Sequence, residues 1–457
     1  MYDLGWLDVL WIVGSMVAVF WAGTRGSDGP STMDFLLAGR GLTLPMFVVT
    51  LVATWYGLVL GSGEMIYRHG LVMILCFGLP YYIAAVAYAW WLAARIRQGK
   101  ASTIPEQIGS MFGAPAGVAT SMILVVLASP APYVAMLGTM LSAYTGWSMI
   151  VSSASVTALS LAVVFRGGLS SDVRANTIQF VVMYAGFVVL VAASWFVYGS
   201  PVVLSSHLEP EFLSIPGSIG WQGVAIWWVI ALQTFIDPTF HMRVAAASTA
   251  RVARRGLMWS VVFWALFDLL QLTAGLYARA FVDVQRPLES YLALADNVLP
   301  DGLRGLFLAG VIAAGMSTLS GYALVSGTVI GHDLYDSPRG RAPRRSSLRW
   351  GLMASGVFGV VVAVWIPSAI DIIVAAASIA VPAFLFPLVI SYVRPVRTRS
   401  GLGLAVILVP VLASVLWMVG QRLTEAPFMT SIHAMLIGLL ASGMLCGLLF
   451  RRIVDEP

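Results

Sequence analysis

TLVATWYGLVLGSGEMIYRHG, residues 50–70, is apolar enough over most of its length to cross a membrane as a helix. It nevertheless carries Gly57, Gly61 and Gly63 within seven residues, followed at once by Glu64. Each glycine weakens a helix interior by about 1 kcal/mol relative to alanine, so the chain loosens this span and sets an acid beside the loose point. A helix can unwind inside a bilayer only where protein or a polar cavity satisfies the freed N–H and C=O groups. Gly57-x-x-x-Gly61 also fits the small-residue motif by which membrane helices pack closely. Both roles stay open until a second break is found or excluded.

The surroundings decide the class. The chain is 59% hydrophobic and only 10% charged, against about 25% charged residues in soluble domains. Apolar runs near the ~20 residues that span a bilayer recur at 6–24, 43–66, 70–94, 114–144, 147–165, 175–198, 220–240, 256–282, 303–331, 350–366, 370–393, 402–420 and 430–450. About thirteen transmembrane helices are expected, in an all-α, multi-pass integral membrane protein of the cell (inner or plasma) membrane. No run of chain between them is long enough for a soluble domain. Cys76 and Cys446 fall inside apolar runs, where they read as small buried hydrophobes.

The net charge of +5 does not point to nucleic acid, because the basic residues are scattered through short loops in contact with membrane lipid. With the N-terminus outside, the inner loops 25–42, 95–113, 166–174, 241–255, 332–349 and 394–401 and the tail 451–457 hold 21 of the 26 Lys+Arg. Positive residues favour the cytoplasmic side, so the expected topology is N-out and C-in. The loop 332–350 reads as a solvated anchor facing anionic lipid, and the outer loop near 198–220 as carrying a short surface helix. No sequence feature fixes an oligomeric state.

A second break lies in ALQTFIDPTFHMRV, 231–244, where Asp237-Pro238 falls inside a span. Proline removes a backbone donor and clashes with the preceding turn, and Asp-Pro is also an N-cap followed by a first helical turn. A half-helix starting at Asp237 is expected. Five spans from 43 to 198 and five from 220 to 393 enter from opposite sides, the arithmetic of a five-plus-five inverted repeat. The division is then 1–42 for a flanking helix and inner loop, 43–198 and 220–393 for the repeats, and 199–219 for the outer loop. Two flanking helices and the tail follow at 394–457. In such transporters the paired broken helices mark the binding site.

Within 305–328, Ala314, Ser317, Thr318 and Gly321 share one helical face. Their hydroxyls, with carbonyls freed near Ala53 and Tyr56, offer oxygen ligands of the kind hard cations select. Each hydroxyl has a second possible role, bonding the carbonyl one turn back. No phosphate loop, metal-ligand cluster or nucleophile–base motif is visible, so no enzyme and no organic cofactor is expected.

The segments DFLLAGRGL (34–42), TIPEQIGSMFG (103–113), GGLSSDVRANTIQF (167–180), FIDPTFHMRVAAA (235–247) and GMSTLSGYALVSGTVIGHDLY (315–335) resemble the sodium:solute symporter family, in its order and spacing. The resemblance implies a LeuT-type inverted-repeat fold and sodium-coupled symport of a small organic solute. It also implies a Na+ site formed by the backbone of Ala53 and Tyr56, the Ala314 carbonyl and the hydroxyls of Ser317 and Thr318. Two positions depart from the family's pattern: Trp55 stands where well-studied members tend to have Asp or Asn, and Asn176 where many have Asp. Leu60 replaces the polar side chain of the family's sugar carriers.

Other candidates for the solute pocket or gate are Trp55, Gly57, Leu60, Glu64, Phe235, Asp237 and Asp268. Glu64 is either a gate or an interfacial anchor paired with Arg68, and Asp237 either a cap or a ligand. Asp268 falls near mid-span with Gln271 one turn away, and an acid at that depth is a functional candidate by default. Asp371 reads as the cap of its span. No Lys, and no Arg away from span ends, faces these acids. A proton-coupled or uncoupled carrier, and a solute sensor with the transporter fold, are the alternative functions.

Overall fold

In hydrocarbon an apolar run must satisfy its own backbone polar groups, and the helix does so within one segment. The computed structural model describes residues 4–25, 31–366, 369–393, 400–424 and 432–454. Among them the only β-pairing is an isolated parallel bridge between Leu42 and Ala247. The first half runs α1 (Trp6–Thr24), α2 (Leu44–Trp55), α3 (Val59–His69), α4 (Leu79–Trp91), α5 (Ala114–Leu127), α6 (Ala131–Thr145), α7 (Met149–Val164) and α8 (Leu169–Tyr198). The second runs α9 (Gly220–Ile230), α10 (Pro238–Ala246), α11 (Ala250–Phe281), α12 (Leu303–Thr328), α13 (Arg345–Trp365), α14 (Ala369–Val393), α15 (Ser400–Leu423) and α16 (Ala434–Val454).

Among the described residues, ten helices are long and apolar enough to span a membrane, and eleven if the bent pair over 44–72 counts as one. The span expected at 147–165 is present as the shorter apolar helix α7, and that at 430–450 as the 21-residue α16. Both expected breaks are there. Helix α2 stops at Trp55 and α3 leaves at 58° to it. On the other side, α9 gives way to a 3-10 turn over Ala231–Phe235 and extended backbone at Asp237 before α10 begins.

Helix α12 is the axis of the molecule. Of its 26 residues, only Leu303, Arg304, Leu306, Ile312 and Tyr322 escape full burial. Small residues permit this: a side chain at Gly310 would meet the Val182 carbonyl of α8, and one at Gly327 the backbone of Leu352 in α13. By contrast α1 buries only Asp8, Val19 and Gly23. It is pinned at one end by Asp8, which accepts from the Gly302 and Gly305 amides at 2.7 Å and pairs with Arg304 at 2.7 Å.

The loops sort into two groups that touch within each group. Arg97 donates to the Ala247 and Ser248 carbonyls, Arg345 to Ser31 and Arg349 to Phe165. At the other end, His69 meets Ser218 and Tyr277 donates to the Gly199 carbonyl. The segment 199–219 includes the short helix Leu204–His207.

In the loop 332–350 Arg339, Arg341 and Arg344 are exposed, while a π-turn over Val329–Asp336 structures its start and Arg344 pairs with buried Asp336 at 2.8 Å. One sequence expectation needs correction: Arg243 is no loop residue. It sits in the last turn of α10, near the end of its span, with its side chain fully buried.

Candidate functional site

The break in the first span is a short non-helical connection. Tyr56 (φ −92°, ψ 28°) and Leu58 (φ −108°, ψ 38°) leave helical geometry, and Val59 N–H donates to the Tyr56 carbonyl at 3.2 Å. Carbonyls in the last turn of α2 lose their in-helix partners there, as at any helix end. Gly57 makes the close approach possible: a Cβ on it would overlap the side chain of Thr318.

Across that contact, Thr318 Oγ1 lies 2.8 Å from the Thr54 carbonyl and 3.1 Å from the Ala314 carbonyl. Ser317 donates to Asn176 Oδ1 at 2.7 Å. Each hydroxyl spends its single hydrogen on a protein acceptor and keeps lone pairs for a cation. Ala53, Ala314, Ser317 and Thr318 are all fully buried or nearly so. The structure thus brings α2 and α12 together at the residues singled out for sodium.

Behind them lies a network that the sequence reading missed. Arg243 Nη2 is 2.9 Å from Asp172 Oδ2 and 2.6 Å from Thr54 Oγ1. Its Nε donates to Thr50 Oγ1 at 3.2 Å and its Nη1 to the Thr239 carbonyl at 3.3 Å. Asp172 also accepts from Asn176 and Ser320 at 3.0 and 2.8 Å. Both charged side chains are 0% exposed. A buried pair is tolerated only with such complete hydrogen bonding. Asn176, the position noted as departing from the family, links this pair to Ser317.

On the other side of the break is a cavity of about 160 Å³, lined by residues of both broken spans. Trp55, Tyr56, Asp237 and Asp268 face it, whereas Gly57, Leu60, Glu64 and Phe235 do not line it. Glu64 pairs with Arg68 at 3.1 Å, and Leu60 is packed in the core. Phe235 ends the 3-10 turn, its ring 6.1 Å from Tyr88. The indole of Trp55 is held among Trp264, Tyr81 and Phe240, with centroids 4.9, 5.2 and 5.6 Å away.

The two acids differ. Asp237 caps α10, accepting from the Thr239 and Phe240 amides at 2.8 and 3.0 Å, and its second oxygen accepts from Tyr322 at 2.6 Å. Asp268 accepts from Tyr56 at 3.0 Å, from Gln271 at 3.3 Å and from Tyr82. The Asp371 side chain lies outside the described residues. Tyr56 therefore belongs to both halves of the site, with its backbone at the break and its phenol on Asp268.

The profile of the sodium:solute symporter family matches residues 35–409. The chain belongs to that family. The sodium/pantothenate symporter of Escherichia coli is 24% identical over 354 residues, 72% of either chain. A putative sodium-dependent multivitamin transporter of Drosophila melanogaster is 22% identical over 70% of this chain and 57% of its own length. Among solved structures, a Na+-coupled sialic acid symporter superposes with a TM-score of 0.80 at 14% identity, covering 97% of this chain and 96% of its own, so the two share the LeuT-type fold. Family membership sets the class of activity: sodium-coupled transport of a small organic solute by a multi-pass membrane protein.

Proposed function

We propose that sodium binds at the first break, between the Ala53 and Tyr56 carbonyls on one side and the Ala314 carbonyl, Ser317 and Thr318 hydroxyls on the other. The solute occupies the aromatic cavity beyond Tyr56. The observation that carries this reading is Thr318 Oγ1 between two carbonyls, at 2.8 Å from Thr54 and 3.1 Å from Ala314, where α2 ends inside the membrane protein. Five neutral oxygens suit a hard monovalent cation, and Asp172 and Arg243 add no net charge beneath them.

Coupling follows from shared residues. Sodium fixes the carbonyls of the break, and the break positions Trp55 and Tyr56 against the solute. Each ligand then favours the same arrangement of the interrupted helices, and binding of one raises affinity for the other by the same factor in both directions. Movement of the two interrupted spans against the helices packed around α12 exposes the site alternately to the two sides.

Sodium is expected to raise the thermal stability of the purified protein when it replaces potassium at constant ionic strength. At a hundredfold excess over its dissociation constant the gain is about 2.7 kcal/mol. Thr318→Ala is expected to abolish it. Equal stabilisation by potassium, or a rise that survives in Thr318→Ala, counts against the site.

A further inference from the structure

The solute's chemical class can be read from the cavity, on the reading that the cavity is the solute site. Among the described residues, Asp237 and Asp268 are the only acidic side chains lining it, and no Lys, Arg or His does so. Asp237 is already satisfied: it caps α10, so the positive end of that helix lies against it. Four other acids have a guanidinium partner, Asp172 with Arg243, Asp8 with Arg304, Glu64 with Arg68 and Asp336 with Arg344, whereas buried Asp333 has only Thr103. Asp268 has only neutral donors, two tyrosines and one glutamine. A carboxylate beside an apolar cavity is costly without a counter-charge.

A second, independent feature lies in the other broken span. Gln233 is one of the residues lining the same cavity, and its side-chain carbonyl is buried with no hydrogen-bond partner among the described residues. A buried acceptor left unpaired costs roughly 1–3 kcal/mol, which a donor reaching it from the cavity would relieve. The Gln271 amide does not fill that role, since it accepts from Ser62 and donates to Asp268. Eight aromatic side chains share the rest of the wall with aliphatic and hydroxyl residues. Trp55 stands against Tyr81 and Phe240, and Phe77 against Trp227 at 4.3 Å between centroids. Ring faces attract cations by about 0.5–2 kcal/mol each, more when water is excluded, and aromatic cages are the common receptor for alkylammonium groups.

Size narrows the class further. A protein cavity of roughly 150 Å³ accepts benzene, so about 160 Å³ suits a molecule of similar bulk. We infer that the solute is a small organic ammonium ion, its cationic head held between Asp268 and the aromatic wall with an N–H or polarised C–H directed at Gln233.

The test is binding of matched probes to the purified wild-type protein in sodium chloride, read by thermal shift and isothermal titration. The probes are choline, n-butylammonium, the uncharged choline isostere 3,3-dimethylbutan-1-ol, D-glucose and pantothenate. At least one of the two ammonium ions is expected to bind at least tenfold more tightly than the isostere, the sugar and the carboxylate. Asp268→Asn, shown to be folded by monodisperse elution, is expected to lose at least tenfold in affinity for that cation. If Asp268→Asn does not fold, the comparison of choline with its isostere on wild-type protein decides alone. The inference is overturned if glucose, pantothenate or the isostere binds as tightly as the cations, if Asp268→Asn binds them unchanged, or if neither cation binds while sodium itself stabilises. Absence of any sodium effect on wild-type protein is a different result, which strikes the sodium site and not the class of solute.

Discussion

Asp172→Ala is expected to cost about 3–5 kcal/mol of stability, enough to leave little folded protein. Arg243 would remain in α10 with its guanidinium 0% exposed and no counter-ion. The remaining acceptors around it, Thr50, Thr54 and the Thr239 carbonyl, are neutral. Arg243→Met alone should be comparably damaging, since Asp172 would then hold an unpaired charge supported only by Asn176 and Ser320. The double variant Asp172→Leu/Arg243→Met removes both charges and should recover most of the loss, because a buried pair replaced by apolar groups of similar volume is often neutral. Melting curves of the three variants in one detergent check this. A double variant no more stable than either single one would show that the pair's role is not charge compensation.

Gly57→Ala is expected to lose at least tenfold in sodium affinity, with a stability cost of about 1–3 kcal/mol from overpacking. The added methyl would overlap Cβ, Cγ2 and Oγ1 of Thr318. Relief requires α2 and α12 to separate, which pulls the Thr318 hydroxyl from the Thr54 carbonyl and spreads the five proposed oxygens. Alanine at Gly61 is a useful contrast, because Gly61 lines the cavity and is not part of that contact. Its effect should fall on the solute rather than on sodium. Sodium titrations followed by thermal shift separate the two, and wild-type sodium affinity in Gly57→Ala would remove the close approach from the account.

Both breaks were legible in the sequence because their causes are local. Three clustered glycines and an Asp-Pro pair disfavour continuous helix wherever they occur, and the structure interrupts its spans at 56–58 and 231–237. The hydroxyl face of α12 was legible for the same reason, as 3.6-residue spacing alone puts Ser317 and Thr318 beside Ala314. The Asp172–Arg243 pair was not. Each charge falls at the edge of an apolar run, so hydropathy ends the run there and assigns the residue to a loop. In the structure α8 starts at Leu169 and α10 runs to Ala246, which carries both charges inward. Only a distance between residues 71 positions apart reveals the pair. The partners of Asp268 were hidden similarly: Gln271 is one turn away and was anticipated, whereas Tyr56 and Tyr82 arrive from distant segments. The run 147–165 folds into the 16-residue helix Met149–Val164, shorter than the other expected spans.

The most direct test of the central claim is equilibrium binding of radioactive sodium to the purified protein, compared between wild type and Ser317→Ala. The account predicts saturable binding to wild type that excess unlabelled sodium displaces and potassium does not, with affinity falling at least tenfold in the variant. Saturable sodium binding of unchanged affinity in Ser317→Ala would contradict it and place the ion elsewhere in the fold.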